Sequence, residues 1–511
     1  MRLATAALAL LALALPASAQ GRWLGTFAVP GIYGGDIDGG QVHAAVADGG
    51  GALIGGDFRT VDGTEAHGVA RWTGMTWEPF GGGLRDADGT DGVAYAVARD
   101  HSGGVWVAGE FDAVVQPDGS TLSASGVARW TGDGWDVPCR LTGGMFGRPT
   151  VYAVLVVGGS VYLAGDFANL IRPGGSALGG SGVVRWTDGI WMSLGQRRQT
   201  TALAALPDGD ILASGFFPGP DGEIGVGVER WNGSAWTPYT RTLGTFAIVL
   251  SLLVDEGDLY VGGLFSGGRT ASNALVASRN VIRWDGQSWQ PVGAGAGSIE
   301  PAGGEVRELA LDGGGGLLVG GYVEVGFNAD GSTVASPGLI RWTGSEWERR
   351  AISDASGQVT ALGRLPEETI VGGRFALLRE TGGATVRATR LAVLADEGGP
   401  RPFSARTGRD GTFFFSGSGQ YVRLAPDGCG GVHVYAPEQA GPLASNGGST
   451  SRRWSGTAWE PVPLALRQSG LFGLTADGPG PVVTVVASVP GSCDAFVVGG
   501  RFSGFVPSSG P

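Results

Sequence analysis

The chain has 511 residues, a net charge of −12, 97 glycines and a hydrophobic content of 42%. That hydrophobic share separates it from glycine-rich disordered sequences, and the negative charge disfavours nucleic acid and anionic membrane surfaces as partners. All 35 basic residues are arginine, which excludes lysine Schiff-base and Ser-Lys chemistry within the chain.

The first element is "MRLATAALALLALALPASAQ" (1–20). An early arginine, an apolar stretch and a small-residue site at Ala17-Ser18-Ala19 read as a secretory signal peptide, residues 1–19, cleaved before Gln20. A membrane anchor is the alternative. No later stretch has the length and apolarity to cross a bilayer, so no membrane span is expected in the mature chain.

From residue 41 onward the sequence repeats. Tryptophan pairs five residues apart begin at 72, 130, 186, 231, 284, 342 and 454, each preceded by arginine: Arg71, Arg129, Arg185, Arg230, Arg283, Arg341 and Arg453. The steps are 58, 56, 45, 53 and 58 residues, then 112, or twice 56, so one unit has lost its tryptophans. "TRLAVLADEG" (389–398) stands in that gap. A second motif, Gly-Gly-x-Phe or a variant, keeps step: "IGGDF" (54–58), "VAGEF" (107–111), "LAGDF" (163–167), "ASGFF" (213–217), "VGGLF" (261–265), "VGGYV" (319–323), and "VGGRF" at 371–375 and 498–502.

Each unit therefore reads as four short strands. Strand a is an alternating apolar run such as "VHAAVADGG" (42–50); strand b ends in Gly-Gly-x-Phe; a longer variable loop leads to strand c, "VxRW", and a tight turn to strand d. Period-two alternation, β-branched and aromatic enrichment and Gly/Asp/Asn punctuation support strands. The units span about 41–83, 93–140, 151–195, 200–240, 246–294, 305–351, 358–405 and 420–463, with a closing half unit at 481–502. The c–d turn, Thr73-Gly74 in the first unit, suits a two-residue hairpin. That register sets Trp72 opposite Met75 and Ala70 opposite Trp77, with the two tryptophans diagonal neighbours on one face.

Four-stranded units of this length suggest propeller blades. On the Gly-Gly of strand b and the downstream tryptophans, the chain resembles kelch-type, galactose-oxidase-like β-propeller repeat proteins of exported bacterial type. The resemblance covers residues 40–510 and implies an all-β fold, a single propeller of eight or nine four-stranded blades over residues 20–511. In the nine-blade version "GRWLGTF" (21–27) completes the closing half unit; two smaller propellers are a further alternative. Cys429 and Cys493 fall in a–b turns of neighbouring units, where a disulfide is an option. The total of three cysteines leaves at least one thiol unpaired.

No chemistry stands out. A copper oxidase site would need two histidines, tyrosines and a crosslinkable cysteine; His43 and His433 occupy corresponding stretches, with Tyr435 near His433, but no motif joins them. "GRDGTFFF" (408–415) resembles a sialidase aspartate box with the wrong spacing. "RDADGTDG" (85–92), "QPDGS" (116–120) and "NADGS" (328–332) read as acidic turns rather than calcium loops. Seven Arg-Trp copies read as architecture, tryptophans wedging between blades and arginines pairing on the opposite face, rather than as sugar clamps. No catalytic, binding or metal-ligating residue is singled out, and no cofactor is expected. The expected function is that of an exported, non-enzymatic propeller, secreted or at the cell surface (the periplasm is the alternative), binding a protein or glycan through rim loops. The alternatives are a glycan-active hydrolase or oxidase with a dispersed central site, and a structural or adhesive part of a surface protein. Function is sought where the pattern fails: residues 376–450 and the loops between Gly-Gly-x-Phe and Arg-Trp.

Overall fold

The computed structural model describes residues 31–395 with short gaps and, from residue 400 onward, strand segments only. The signal peptide, "GRWLGTF", Cys429 and Cys493 lie outside the described residues. The chain divides into two units, Met1–Thr407 and Gly408–Pro511. All regular structure among the described residues is β, and no helix there is long and apolar enough to cross a membrane.

The first unit is a β-propeller. Blade 1 is an antiparallel sheet of strands a to d, Gln41–Asp48, Gly51–Asp57, Val69–Trp72 and Trp77–Pro79. Six further sheets repeat this order, beginning at Val93, Thr150, Leu203, Ile248, Glu305 and Gln358. The strand a segments pack one against the next, blade 1 to blade 7 and back to blade 1. Thr360 Oγ1 of blade 7 donates to the Val42 carbonyl of blade 1 at 2.5 Å. Ile370, Leu391 and Val393 of blade 7 share a core cluster with Val42 and Ile54 of blade 1. The eighth repeat forms its own four-stranded sheet in the second unit, where Val482–Ser488 also pairs with Phe496–Arg501. The propeller architecture is as expected; a single ring of eight or nine blades is not confirmed, because blade 7 occupies the contact with blade 1.

The Gly-Gly pair explains this packing. A Cβ on the first glycine would strike strand a of the next blade: at Gly55 it would lie 2.9 Å from Val97, at Gly320 2.8 Å from Val359, and at Gly372 2.7 Å from Val42. The motif that joins each blade to its successor thus joins the seventh to the first. The second glycine faces a carbonyl of its own strand a, where that strand carries a β-bulge. A Cβ at Gly56 would collide with Gln41 O, and one at Gly321 with Glu305 O.

The tryptophans wedge between blades. Trp135, Trp191 and Trp236 donate from Nε1 to carbonyls of the preceding blade's outer segment, Phe80 O at 3.2 Å, Pro138 O at 2.9 Å and Leu194 O at 2.6 Å. Within five described pairs the ring centroids lie 5.1–5.5 Å apart, inside the range that favours aromatic pairs. Their register differs from the expected one. Trp72 stands directly opposite Trp77, across a four-residue loop. The Thr73 hydroxyl takes up the Thr76 N–H at 3.1 Å, and Asn232 and Asp285 act likewise in blades 4 and 5, so an Asx- or ST-type turn replaces the two-residue hairpin. Blade 3 alone among them has the tight loop, Asp188-Gly189, with φ of 48° and 86°.

Five of the Arg-Trp arginines meet aspartates at the a–b turns: Arg71 with Asp48 at 2.7 Å, Arg129 with Asp100 at 2.7 Å, Arg230 with Asp208 and Asp210 at 2.6 and 2.5 Å, Arg283 with Asp258 at 2.7 Å, and Arg341 with Asp312. Arg99 of blade 2 also pairs with Asp48 of blade 1. Cys139 is a buried free thiol, and burial pushes its ionisation up.

Several b–c loops are not free. In blades 2, 3 and 6 the loop forms a hairpin that adds to a short strand after strand d of the preceding blade, as Ala113–Val115 does on Gly83–Arg85. In blade 1 the loop strand Thr60–Val61 pairs with Ile32–Tyr33. Ile32 joins the core cluster that seals blade 7 to blade 1.

Candidate functional site

The blades are alike, so positions where one departs from the others mark candidate sites. Among the described residues two such groups occur: one on the inner strands, one on the rim that carries the b–c hairpins.

The bulge in strand a leaves one extra residue on the inner ring of six blades. In chain order these are His43, Tyr95, Tyr152, Leu250, Arg307 and Thr360, with Thr201 in the corresponding place of blade 4. His43 and Tyr95 have ring centroids 5.2 Å apart, and Tyr95 and Tyr152 6.0 Å. Burial, with a smaller contribution from Arg307, pulls the His43 imidazole down to about 4, so it is neutral at pH 7. Burial pushes Tyr95 up to about 12. Arg307 is held by Glu305 at 2.5 Å.

The next residue along strand a is alanine in blades 1, 2, 3 and 7 (Ala44, Ala96, Ala153, Ala361) but Ser251 in blade 5 and Glu308 in blade 6. Ser251 Oγ donates to Glu308 Oε1 at 3.1 Å, across the interface of the two blades. Burial raises the Glu308 carboxyl to about 7, with the Ser251 bond acting weakly against it. A carboxyl poised near neutrality is a competent proton donor or acceptor. The two residues are invisible as a pair in a linear reading, but comparison of the repeats at this position exposes them.

His43 therefore keeps company with tyrosines. His433 lies in the second unit, opposite Arg453 in register. Among the described residues no group of three His, Cys, Asp or Glu side chains is arranged to hold a metal. The acidic turns fold on themselves: Asp88, Asp118 and Asp330 accept the N–H groups of Thr90, Ser120 and Ser332 at 2.8–3.0 Å. Within residues 376–450, the Leu377–Arg379 and Thr385–Arg387 strands extend the blade 6 sheet, and 403–422 lie outside the described residues.

The second group lies on the hairpin rim of blades 5 and 6. Five of the eight large apolar side chains most exposed among the described residues are here: Ile248, Leu264, Leu275, Ile299 and Tyr322. One of them, Leu264, lines a cavity of about 410 Å³ walled also by Phe265, Ser266, Ala277, Arg279 and Asn280, among others. The residue before "VxRW" has positive φ in most blades; it is Gly68, Gly126, Gly182 and Gly338 in blades 1, 2, 3 and 6, Arg390 at φ 65° in blade 7, and Asn280 at φ 62° in blade 5. Asparagine tolerates this conformation. Its amide is used in full: Oδ1 accepts from Phe265 N at 3.1 Å, and Nδ2 donates to Ala296 O at 3.1 Å and Gly304 O at 3.0 Å.

No protein-family model and no curated protein matches the chain. Among solved structures it is similar to YCF48 bound to D1 peptide, at 14% identity and a TM-score of 0.37, covering 68% of this chain and 98% of that one. It is similar to the WD40 β-propeller domain of Doa1 at 12% identity and 0.37, covering 67% and 91%. It is also similar to the GH74 xyloglucanase from Xanthomonas campestris at 13% and 0.31, covering 93% and 98%. These likenesses carry no assignment of activity.

Proposed function

We propose that this chain is an exported, kelch-type propeller that binds a protein partner on the hairpin rim of blades 5 and 6. The supporting observation is the concentration of exposed apolar side chains in blades 5 and 6, with Ile299 72% and Ile248 43% exposed, and the exposed Leu264 on the wall of a preformed cavity. Contiguous apolar surface rimmed by polar residues is characteristic of interaction sites, and hydrophobic anchors dominate such contacts. The test is a peptide array and a glycan array probed with the full chain and with a Leu264→Asp/Tyr322→Asp variant. The reading expects a discrete peptide set that the variant loses. Binding unchanged in the variant, or confined to glycans, contradicts it.

A second reading, an enzyme at the inner ring, is favoured by the Ser251–Glu308 pair. Turnover of a glycan that Glu308→Gln abolishes while folding is retained would establish it.

A further inference from the structure

We propose that the cavity on the rim of blades 5 and 6 is a carboxylate-recognition pocket, with the Arg279 guanidinium as its cation. This rests on the protein-binding reading above and names the group that the partner would present.

Several half-buried arginines of this propeller are paired with acids: Arg85 with Asp91 at 3.0 Å, Arg148 with Glu110 at 3.2 Å and Asp112 at 3.0 Å, and Arg129 and Arg283 with Asp100 and Asp258 at 2.7 Å. Arg279 lines an open cavity and has no such pair among the described residues. At Arg279 the only polar side-chain contact found among the described residues is Nη1 donating to Ser298 O at 3.0 Å. The guanidinium also lies over the Phe327 ring, 5.0 Å from its centroid. The nearby carboxylate of Glu324 is engaged elsewhere, accepting from Ser298 Oγ at 2.6 Å and Ile299 N at 3.2 Å. Stacking on Phe327 and one carbonyl leave the other donors of the fork for a ligand.

The same position in blade 1 shows what the site lacks. The residue before the positive-φ position is His67 there and Arg279 in blade 5. His67 is 8% exposed and its Nδ1 sits 2.8 Å from Asp91 Oδ1. Blade 5 offers a stronger cation, an open cavity and, among the described residues, no carboxylate in the equivalent role. The walls are fixed in advance. Ser278 is fully buried, with Oγ donating to Val281 O at 2.6 Å and accepting from Val292 N at 3.1 Å. Asn280 ties three segments together, as described above. A preformed site spends little ordering free energy when it binds, and a cavity of about 410 Å³ falls in the range of small-ligand sites. Leu264 and Phe265 add an apolar wall, so the ligand is a carboxylate next to an apolar group. Two sources have this chemistry: the C-terminal carboxylate of a chain ending in an apolar residue, and an aspartate or glutamate side chain beside one.

The experiment is calorimetric titration of the full chain with three probes: acetyl-Leu-Phe with a free carboxylate, its C-terminal amide, and acetyl-Leu-Phe-Glu amide. The proposal expects at least one acid to bind roughly ten-fold or more tighter than the amide, the gain falling with salt. Preference for the first acid identifies a chain terminus, and preference for the last identifies a side chain. Arg279→Gln should abolish the difference between acid and amide at unchanged melting temperature, and Arg279→Lys should keep part of it. Ala277→Phe, on the exposed wall, should weaken every probe by filling the cavity. Acids and amide binding alike, no probe binding, or discrimination surviving Arg279→Gln would overturn the pocket. If the probes fail while the peptide-array binding still depends on Leu264 and Tyr322, the pocket falls and the interaction surface stands. If a carboxylate binds but the array gives no signal, the pocket stands and the interaction surface falls.

Discussion

At the scale of single residues, this propeller places charge where repeats demand it and carboxyls of different character where they do not. Asp100 accepts from Arg129, Ser102, the Trp106 indole and Gly104 N at 2.7–3.0 Å. Burial pushes its carboxyl up, but these hydrogen bonds outweigh it and hold it at about 2. A depressed folded value means stability present above the unfolded value near 3.9 and lost as pH falls toward 2, worth about 2 kcal/mol. Asp100→Asn should therefore lower the melting temperature at pH 7 and flatten the acid limb of stability between pH 4 and 2. Glu308 has the opposite sign. Its raised value, about 7, means the folded state binds a proton that the unfolded state has released, so stability falls as pH rises from about 4.5 to 7. In Glu308→Gln that loss should vanish from urea titrations across this window. An unchanged slope contradicts the assignment.

At the scale of elements, the repeated unit is legible in the sequence because its physics is local. Alternation marks the strands, and the Gly-Gly and Trp-x4-Trp spacings mark blade edges. The turn register is not legible, because Thr73-Gly74 carries the residues of a two-residue hairpin. The side-chain acceptor at Thr73, Asn232 or Asp285 instead stabilises a four-residue loop, and the two registers differ by a shift of two residues along strand d. The hairpins in the b–c loops read as variable segments because their pairing partners belong to the preceding blade. Gly320 and Gly331 test the distinction between packing glycines and turn glycines. A side chain at Gly320 meets Val359 and Leu362, whereas Gly331, at φ 85°, has nothing within 4 Å. Gly320→Val should cost about 2 kcal/mol or more through overpacking. Gly331→Asn should stay within about 0.5 kcal/mol, both read from chemical denaturation.

At the scale of the whole molecule, counting repeats cannot say which blade meets the first. That is decided by contacts far apart in sequence: Gly372 against Val42, Thr360 on the Val42 carbonyl, and Ile32 sealing the joint. Candidate sites are illegible for the same reason. Ser251 and Glu308, or Arg279 and Phe327, meet only once blades 5 and 6 are stacked. The central claim is that blade 7 closes on blade 1, and the most direct measurement is methyl NOE spectroscopy of the full chain, labelled at Ile, Leu and Val. The account predicts cross-peaks from the Val42 methyls to those of Ile370, Leu391 or Val393, which share its core cluster. Cross-peaks running from Val42 to the valines of 482–488 instead, with none to blade 7, would show a larger ring and contradict it.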